Sequence, residues 1–274
     1  MKRNTLSSRI RNQWASIVGL AHDRGLRGSL RGEAFAALPS GPLSVASTSS
    51  KISKGEASGI LTAVVYLAPA GEAVTDWRRV CPGSNSACRA SCLIFSGHMA
   101  MTPARRARLW RTALYLGAPD LFWALVRLDL ERLAAKAARL GMRPAFRVNG
   151  TSDIETPSPV IHAARELGVT LYGYTKLAAR AISATANGDH EVYSWDGSEH
   201  RRTFAHHVLN MGGRVSVVFD GELPATWDGF RVVDGDETDA VFTRPPGVVL
   251  GLRLKGRKKA KKAARQGGFA VRAV

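Results

Sequence analysis

Cys81, Cys88 and Cys92 are the only cysteines of this 274-residue chain. They fall in one stretch, Cys81-Pro-Gly-Ser-Asn-Ser-Ala-Cys88-Arg-Ala-Ser-Cys92, between a strand-like run and a helix-like run. Thiolates gathered this way suit zinc, copper(I) or an iron–sulfur cluster. A structural zinc site takes four ligands, commonly as two short pairs. Only one short pair is present, Cys88 and Cys92, and His98 is the one histidine nearby that could complete a Cys3His shell. A [4Fe–4S] cluster usually takes four cysteines. With three, one iron is left for a substrate or cofactor. The plain alternative is three small thiols with no metal. Three cysteines cannot all pair, so the spacing speaks for cytosolic metal or redox chemistry and against a disulfide framework.

Other polar groups recur where strand-like runs stop. Asn149, Ser152 and Asp153 follow one such run, and Lys176 follows another. Ser194 with Asp196, Asp220 with Glu222, and the acidic stretch 234–239 follow three more. Each alone reads as a turn residue or helix cap. Together at one mouth, Asn149, Ser152, Asp153, Lys176 and Asp220 are candidate catalytic residues. Lys176, if buried, could serve as a base or form a Schiff base. No GxGxxG or GxxxxGK[ST] run occurs, which argues against dinucleotide and P-loop nucleotide sites.

The elements that must position these groups form a rhythm. Apolar runs at 60–67, 145–149, 169–174, 191–195, 214–219, 230–233 and 248–252 read as strands. Between them, helices are expected from Thr102, as N-cap with Pro103 at the first position, and from Pro119 to Gly141. Further helices are expected at 160–167, 177–184 and 200–211. Strand–helix alternation predicts an α/β fold with a parallel sheet. Six or seven short strands with polar C-terminal ends favour a TIM-like (β/α) barrel, complete or incomplete, over a doubly wound sheet. The expected organisation is a basic N-terminal extension over 1–50, with one helix marked by Ile10, Trp14, Ile17 and Val18, then a linker. A barrel domain over 51–256 and a basic tail over 257–274 follow.

The net charge of +17 predicts a polyanionic partner or non-specific attraction to one, the plain alternative being solubility and solvated basic tails. Residues 1–32 hold seven Lys/Arg against one acid, and residues 253–265 hold eight with none. Nucleic-acid phosphates are the expected partner. The contacts would be Arg105 and Arg106 on the helix after the cysteines, and Lys255, Arg257, Lys258, Lys259, Lys261 and Lys262 near the end. Arg108 and Arg111 share that first helix. No run of about 18 apolar residues occurs, so no membrane partner is expected. The basic N-terminus lacks a following apolar segment, so no secretory signal is expected.

The position of the three cysteines, after the first barrel strand and before a helix, resembles radical-SAM architecture. That resemblance implies a [4Fe–4S] cluster with S-adenosylmethionine on the open iron. The spacing departs from it, being Cys-x6-Cys-x3-Cys and not Cys-x3-Cys-x2-Cys. A second resemblance spans roughly 51–256. It is carried by Lys54-Gly-Glu with Leu61–Pro69, Cys81-Pro with Cys88-Arg-Ala-Ser-Cys-Leu93, and Arg147-Val-Asn-Gly-Thr-Ser-Asp-Ile154. Tyr174-Thr-Lys176, Val217–Phe219, Val233–Glu237 and Gly251–Gly256 extend it. These segments resemble a phage-encoded family related to the gene product eighty-eight group. The resemblance implies a phage or prophage origin, hence the cytoplasm of a bacterial host, and supplies no reaction. Two functions are therefore carried forward. One is an iron–sulfur enzyme acting on nucleic acid or a nucleotide-derived substrate. The other is a zinc-stabilised nucleic-acid-binding protein without catalysis.

Overall fold

The computed structural model describes residues 3–27, 43–45, 57–70, 72, 74–95 and 97–272. The strands are β1 (Leu43–Val45), β2 (Ile60–Val65), β3 (Arg143–Arg147), β4 (Thr170–Thr175), β5 (His190–Ser194), β6 (Val215–Phe219), β7 (Thr226–Trp227), β8 (Phe230–Asp234), β9 (Val249–Arg253) and β10 (Ala270–Val271). The helices are α1 (Arg3–Asp23), α2 (Ser86–Ala90), α3 (Thr102–Gly117), α4 (Pro119–Arg139), α5 (Ser158–Glu166), α6 (Ala178–Ala186), α7 (Arg202–Asn210) and α8 (Lys258–Gln266).

The sheet runs β1-β2-β3-β4-β5-β6-β9-β8-β7. From β2 to β6 the strands are consecutive and parallel, with no reversal of order. The pairing registers put Ala63, Phe146, Tyr193 and Val215 on one face, together with the apolar sides of α4, α5, α6 and α7. The opposite face, with Ile60, Ala145, Tyr172, Val192 and Leu250, is covered by Ala240 and Val241. Helices on one face and sequential strands are how a barrel wall is built; a doubly wound sheet carries helices on both. The wall does not close. It stops at an antiparallel β1 on one side and at the antiparallel β7–β8 hairpin on the other. Of the expected TIM-like barrel, complete or incomplete, the mixed α/β, mostly parallel sheet is found, and it is open.

Every residue of β2 is buried, as expected of a strand covered on both faces. Gly141, with φ +63, ends the turn after α4 in the left-handed conformation that the sequence led us to expect at a C′ glycine. Helix α3 differs from expectation at its start. Thr102 is its first residue, and extended Met101 is the cap, with no side-chain bond. Pro103 still sits in the first turn, where its missing N–H costs nothing. In the expected N-terminal extension, α1 packs Leu6, Ile10 and Ile17 into the main core beside Trp110 and Phe122.

The tail region carries structure of its own. Helix α8 leaves the end of β9, and the chain returns as β10 beside Val218 and Phe219, the last residues of β6. Strand β5 pairs β6 lower down, at Val215 and Ser216. So β10 fills the upper gap between β5 and β6, and α8 is held at the rim formed by the strand C-termini.

Candidate functional site at the strand C-terminal rim

The cysteine loop folds through local polar contacts. Ser84 donates from its backbone N–H and its Oγ to the Cys81 carbonyl, at 3.1 and 2.9 Å. Asn85 is extended, and its Oδ1 accepts from the Cys88 N–H at 2.7 Å, capping the short helix α2. Cys88 lies inside α2, and Cys92 follows its end.

Three elements pin this loop to the rim. The Asp153 N–H, beyond β3, donates to the Val80 carbonyl at 2.7 Å. Gly83 packs on Lys176, beyond β4, so closely that a Cβ there would lie 2.8 Å from the Lys176 Cβ. Asp196, beyond β5, accepts from Asn85 Nδ2 at 3.1 Å and pairs with Arg201 at 2.9 Å, while Arg201 donates to the Gly83 carbonyl at 3.1 Å. Lys176 Nζ donates to both the carbonyl and Oγ of Ser194 at 3.1 Å and stands 4.9 Å from the centre of the Phe269 ring.

The three thiols are unpaired with one another as disulfides. Burial pushes the Cys81 thiol up to about 12, and Cys92, Cys88 and Asp153 add to the rise against a hydrogen bond at Ala70. Burial likewise pushes Cys92 up to about 11, with Cys88 and Glu72 adding and Ile94 and Arg108 opposing. Each thiol is therefore within electrostatic reach of the other two. Among the described residues, no group of three His, Cys, Asp or Glu side chains converges as a shell for a metal ion. The His98 side chain lies outside the described residues.

The candidate catalytic residues divide. Asn149, 2% exposed, spends its side chain locally: Nδ2 donates to the Ile154 carbonyl, and Oδ1 accepts from the Ile154 N–H and from Ser152 Oγ. Asp153 accepts from the Lys176 N–H at 2.9 Å and pairs with Arg180. Those four residues lie along the β3 and β4 ends beside the cysteine loop. Asp220 stands apart, held by both donors of Arg265 at 2.7 and 2.9 Å, and that guanidinium keeps its carboxyl below the usual range.

A profile of the Gene product 88 family, a phage-type family, matches residues 43–271. The chain belongs to the Gene product 88 family. Neither a curated protein nor a solved structure shows a significant match to the chain. The match runs past the resemblance drawn at 51–256 and takes in β1, α8 and β10. It carries no radical-SAM assignment. No helix among the described residues is long and apolar enough to cross a membrane.

The four arginines of α3 divide: Arg105 and Arg106, the expected phosphate contacts, are exposed, and Arg108 and Arg111 are buried. Arg108, 1% exposed, is bound by both oxygens of Glu72 at 2.8 and 2.6 Å and donates to the Met99 carbonyl at 2.9 Å. Arg111 is buried too, and burial lowers it to about 10. Exposed Arg105 leans toward Glu72 at 3.7 Å, and Arg106 is engaged as well. Lys255 pairs with Asp236 at 2.7 Å. Sequence reasoning missed Arg180, which joins Asp153 to Glu191, because nothing around it in α6 marks it out. It also missed the Arg147–Asp239 pair, 2.7 Å apart, with Tyr172 donating to the same carboxylate at 2.9 Å. That pair fixes the covering segment to the face opposite α4–α7. A concavity lined by Leu6, Ala124, Arg127, Leu128 and Glu131 shares no residue with the rim.

Proposed function

We propose that Cys81, Cys88 and Cys92 ligate an iron–sulfur cluster at the strand C-terminal rim, and that the protein is an enzyme acting there on nucleic acid or a nucleotide-derived substrate. One observation carries this reading: Cys88 and Cys92 act on Cys81, and Cys88 acts on Cys92, so the three lie within electrostatic reach in one rim loop, yet among the described residues no three His, Cys, Asp or Glu side chains converge on a single point. A mononuclear zinc shell needs convergence. In a cluster each thiolate binds a different iron, so its ligands surround a volume. Soft thiolate donors fit that group in chemistry as well.

When bound through three thiolates, such a cluster leaves one iron able to take a small ligand, S-adenosylmethionine among the candidates. The chain's own residues supply the frame. Asp153, Lys176, Asp196 and Arg201 anchor the loop at both ends of its turn. Lys176 places a cation at the mouth, and its hydrogen bonds to Ser194 hold that cation in one position. The excess of positive charge supports a polyanionic substrate.

Anaerobic reconstitution tests the reading. The expected product contains about four irons and four sulfides per chain. It should show broad visible absorption that each single Cys→Ser variant weakens. One tightly bound zinc per chain with no sulfide would overturn it in favour of a structural zinc protein.

A further inference from the structure

Helix α8 carries the densest run of unneutralised charge at the rim. Arg257, Lys258, Lys259 and Lys262 are exposed, and Lys261 is partly so. Among the described residues, no carboxylate forms an ion pair with any of these five. The flanking cations behave differently: Lys255 is tied to Asp236 and Arg265 to Asp220. Those pairs fasten both ends of the helix and leave its middle free. The opposite side of α8 is spent inward. Ala260 and Ala264 are buried, and the helix packs against α2, which carries Cys88.

We infer that the exposed side of α8 is a docking strip for the phosphodiester backbone of single-stranded nucleic acid, laid beside the cysteine loop. Lys258 and Lys262 are one turn apart, about 6 Å along the axis, and Lys259 and Lys261 flank them. Such a ladder of point charges suits a repeating phosphate and carries no base-reading geometry. A lipid surface is the poorer fit. Interfacial helices turn an apolar face toward the membrane, and the small apolar face of α8 is already buried on α2. The choice of a single strand rests on the proposed rim chemistry: a base stacked and paired in a duplex is not presented to a reacting group beside its backbone.

The full chain, with a labelled single-stranded oligonucleotide, tests this by fluorescence anisotropy across a salt series. Four phosphate contacts give a slope of log affinity against log salt near about −3. Lys258→Gln with Lys262→Gln should bring that slope about 1.4 closer to zero. Lys258→Glu with Lys262→Glu should weaken binding at least about tenfold, the expected scale of losing two charged contacts. Arg132→Glu with Lys136→Glu, an equal charge change on α4, should leave affinity within about twofold, since those residues lie outside the strip. An equal loss in both reversed pairs would reduce the strip to net charge and overturn it. Equal or tighter binding to the matching duplex overturns the single-strand assignment, and binding only to phosphatidylserine vesicles overturns nucleic acid altogether. Iron and sulfide content of the same preparations separates the two proposals. Oligonucleotide binding by protein that takes up no cluster sinks the cluster alone, and a cluster without oligonucleotide binding sinks the strip alone.

Discussion

Gly267, which ends the basic helix α8, lies so close to Ala87 of the cysteine helix α2 that a Cβ on it would stand 2.3 Å from the Ala87 Cβ. No real pair of non-bonded carbons sits that close, so the backbone of α8 rests directly on the helix that carries Cys88. The two segments with the strongest chemical character, thiols and lysines, are thereby packed into one unit.

This contact makes the first prediction. Gly267→Ala should force α8 away from α2 and destabilise the protein by about 1–3 kcal/mol, the usual cost of overpacking. The backbone at Gly267 is not left-handed, so the clash with Ala87 is the cause. Removing the other carbon, in Gly267→Ala with Ala87→Gly, should recover part of the loss. Denaturant titration of the three proteins measures it. No recovery in the double variant would mean that the two helices are not in contact.

The buried Arg108–Glu72 pair makes the second. Arg108→Met leaves a buried carboxylate without its partner and should cost about 3–5 kcal/mol. Replacing both groups, as Arg108→Met with Glu72→Met, should cost less than the single change, because no uncompensated charge remains. Equal losses would show that packing, and not the charge, dominates at this position. Since Glu72 raises the Cys92 thiol and Arg108 lowers it, Glu72→Gln should bring the Cys92 pKa down from about 11.

The alternation of strands and helices was legible because each strand of the wall has its own apolar run, such as Val215–Phe219, bounded by turn residues. Closure was not. It depends on how the last strands pair, and Thr226–Trp227 turns back on Phe230–Arg231 without continuing round. Helix α8 was hidden because only alanines, Ala260 and Ala264, mark its inner side among the lysines. At the site, the sequence placed Asp153 and Lys176 beside the cysteines. It could not show that Asn149 and Ser152 spend themselves on each other, since a capping residue and a reacting one look alike in sequence.

Asp196 supplies a pH-dependent test of the loop's anchoring. Burial pulls its carboxyl upward, but hydrogen bonds from the Ser198 side chain and backbone, with Arg201 and Lys176 nearby, outweigh that and leave it below the usual value. A depressed carboxyl contributes stability above its unfolded pKa, about 3.9, and loses it as pH falls through the folded value. Asp196→Asn should therefore be less stable than wild type at pH 7, by about 1–3 kcal/mol for a charge-assisted bond. The gap should shrink as the medium is acidified below about pH 4. Denaturation at a series of pH values reads both arms, and a gap that stays constant would remove Asp196 from the clamp.

The thiols make the last prediction, in metal-free protein. With pKa values near about 12 and about 11, Cys81 and Cys92 are almost wholly protonated at neutral pH. At pH 8 their thiolate fractions are roughly 10⁻⁴ and 10⁻³, against about a quarter for a free cysteine of pKa about 8.5. Iodoacetamide should label both slowly, and each rate should rise about tenfold per pH unit with no plateau through pH 10. Mass spectrometry of the labelled peptides resolves the two residues. A plateau near pH 9 at either one would mean that its sulfur is solvated, not buried. Slow labelling with a continuing rise would mean that any soft metal must displace protons from Cys81 and Cys92 as it binds, so that loading the rim is favoured by rising pH.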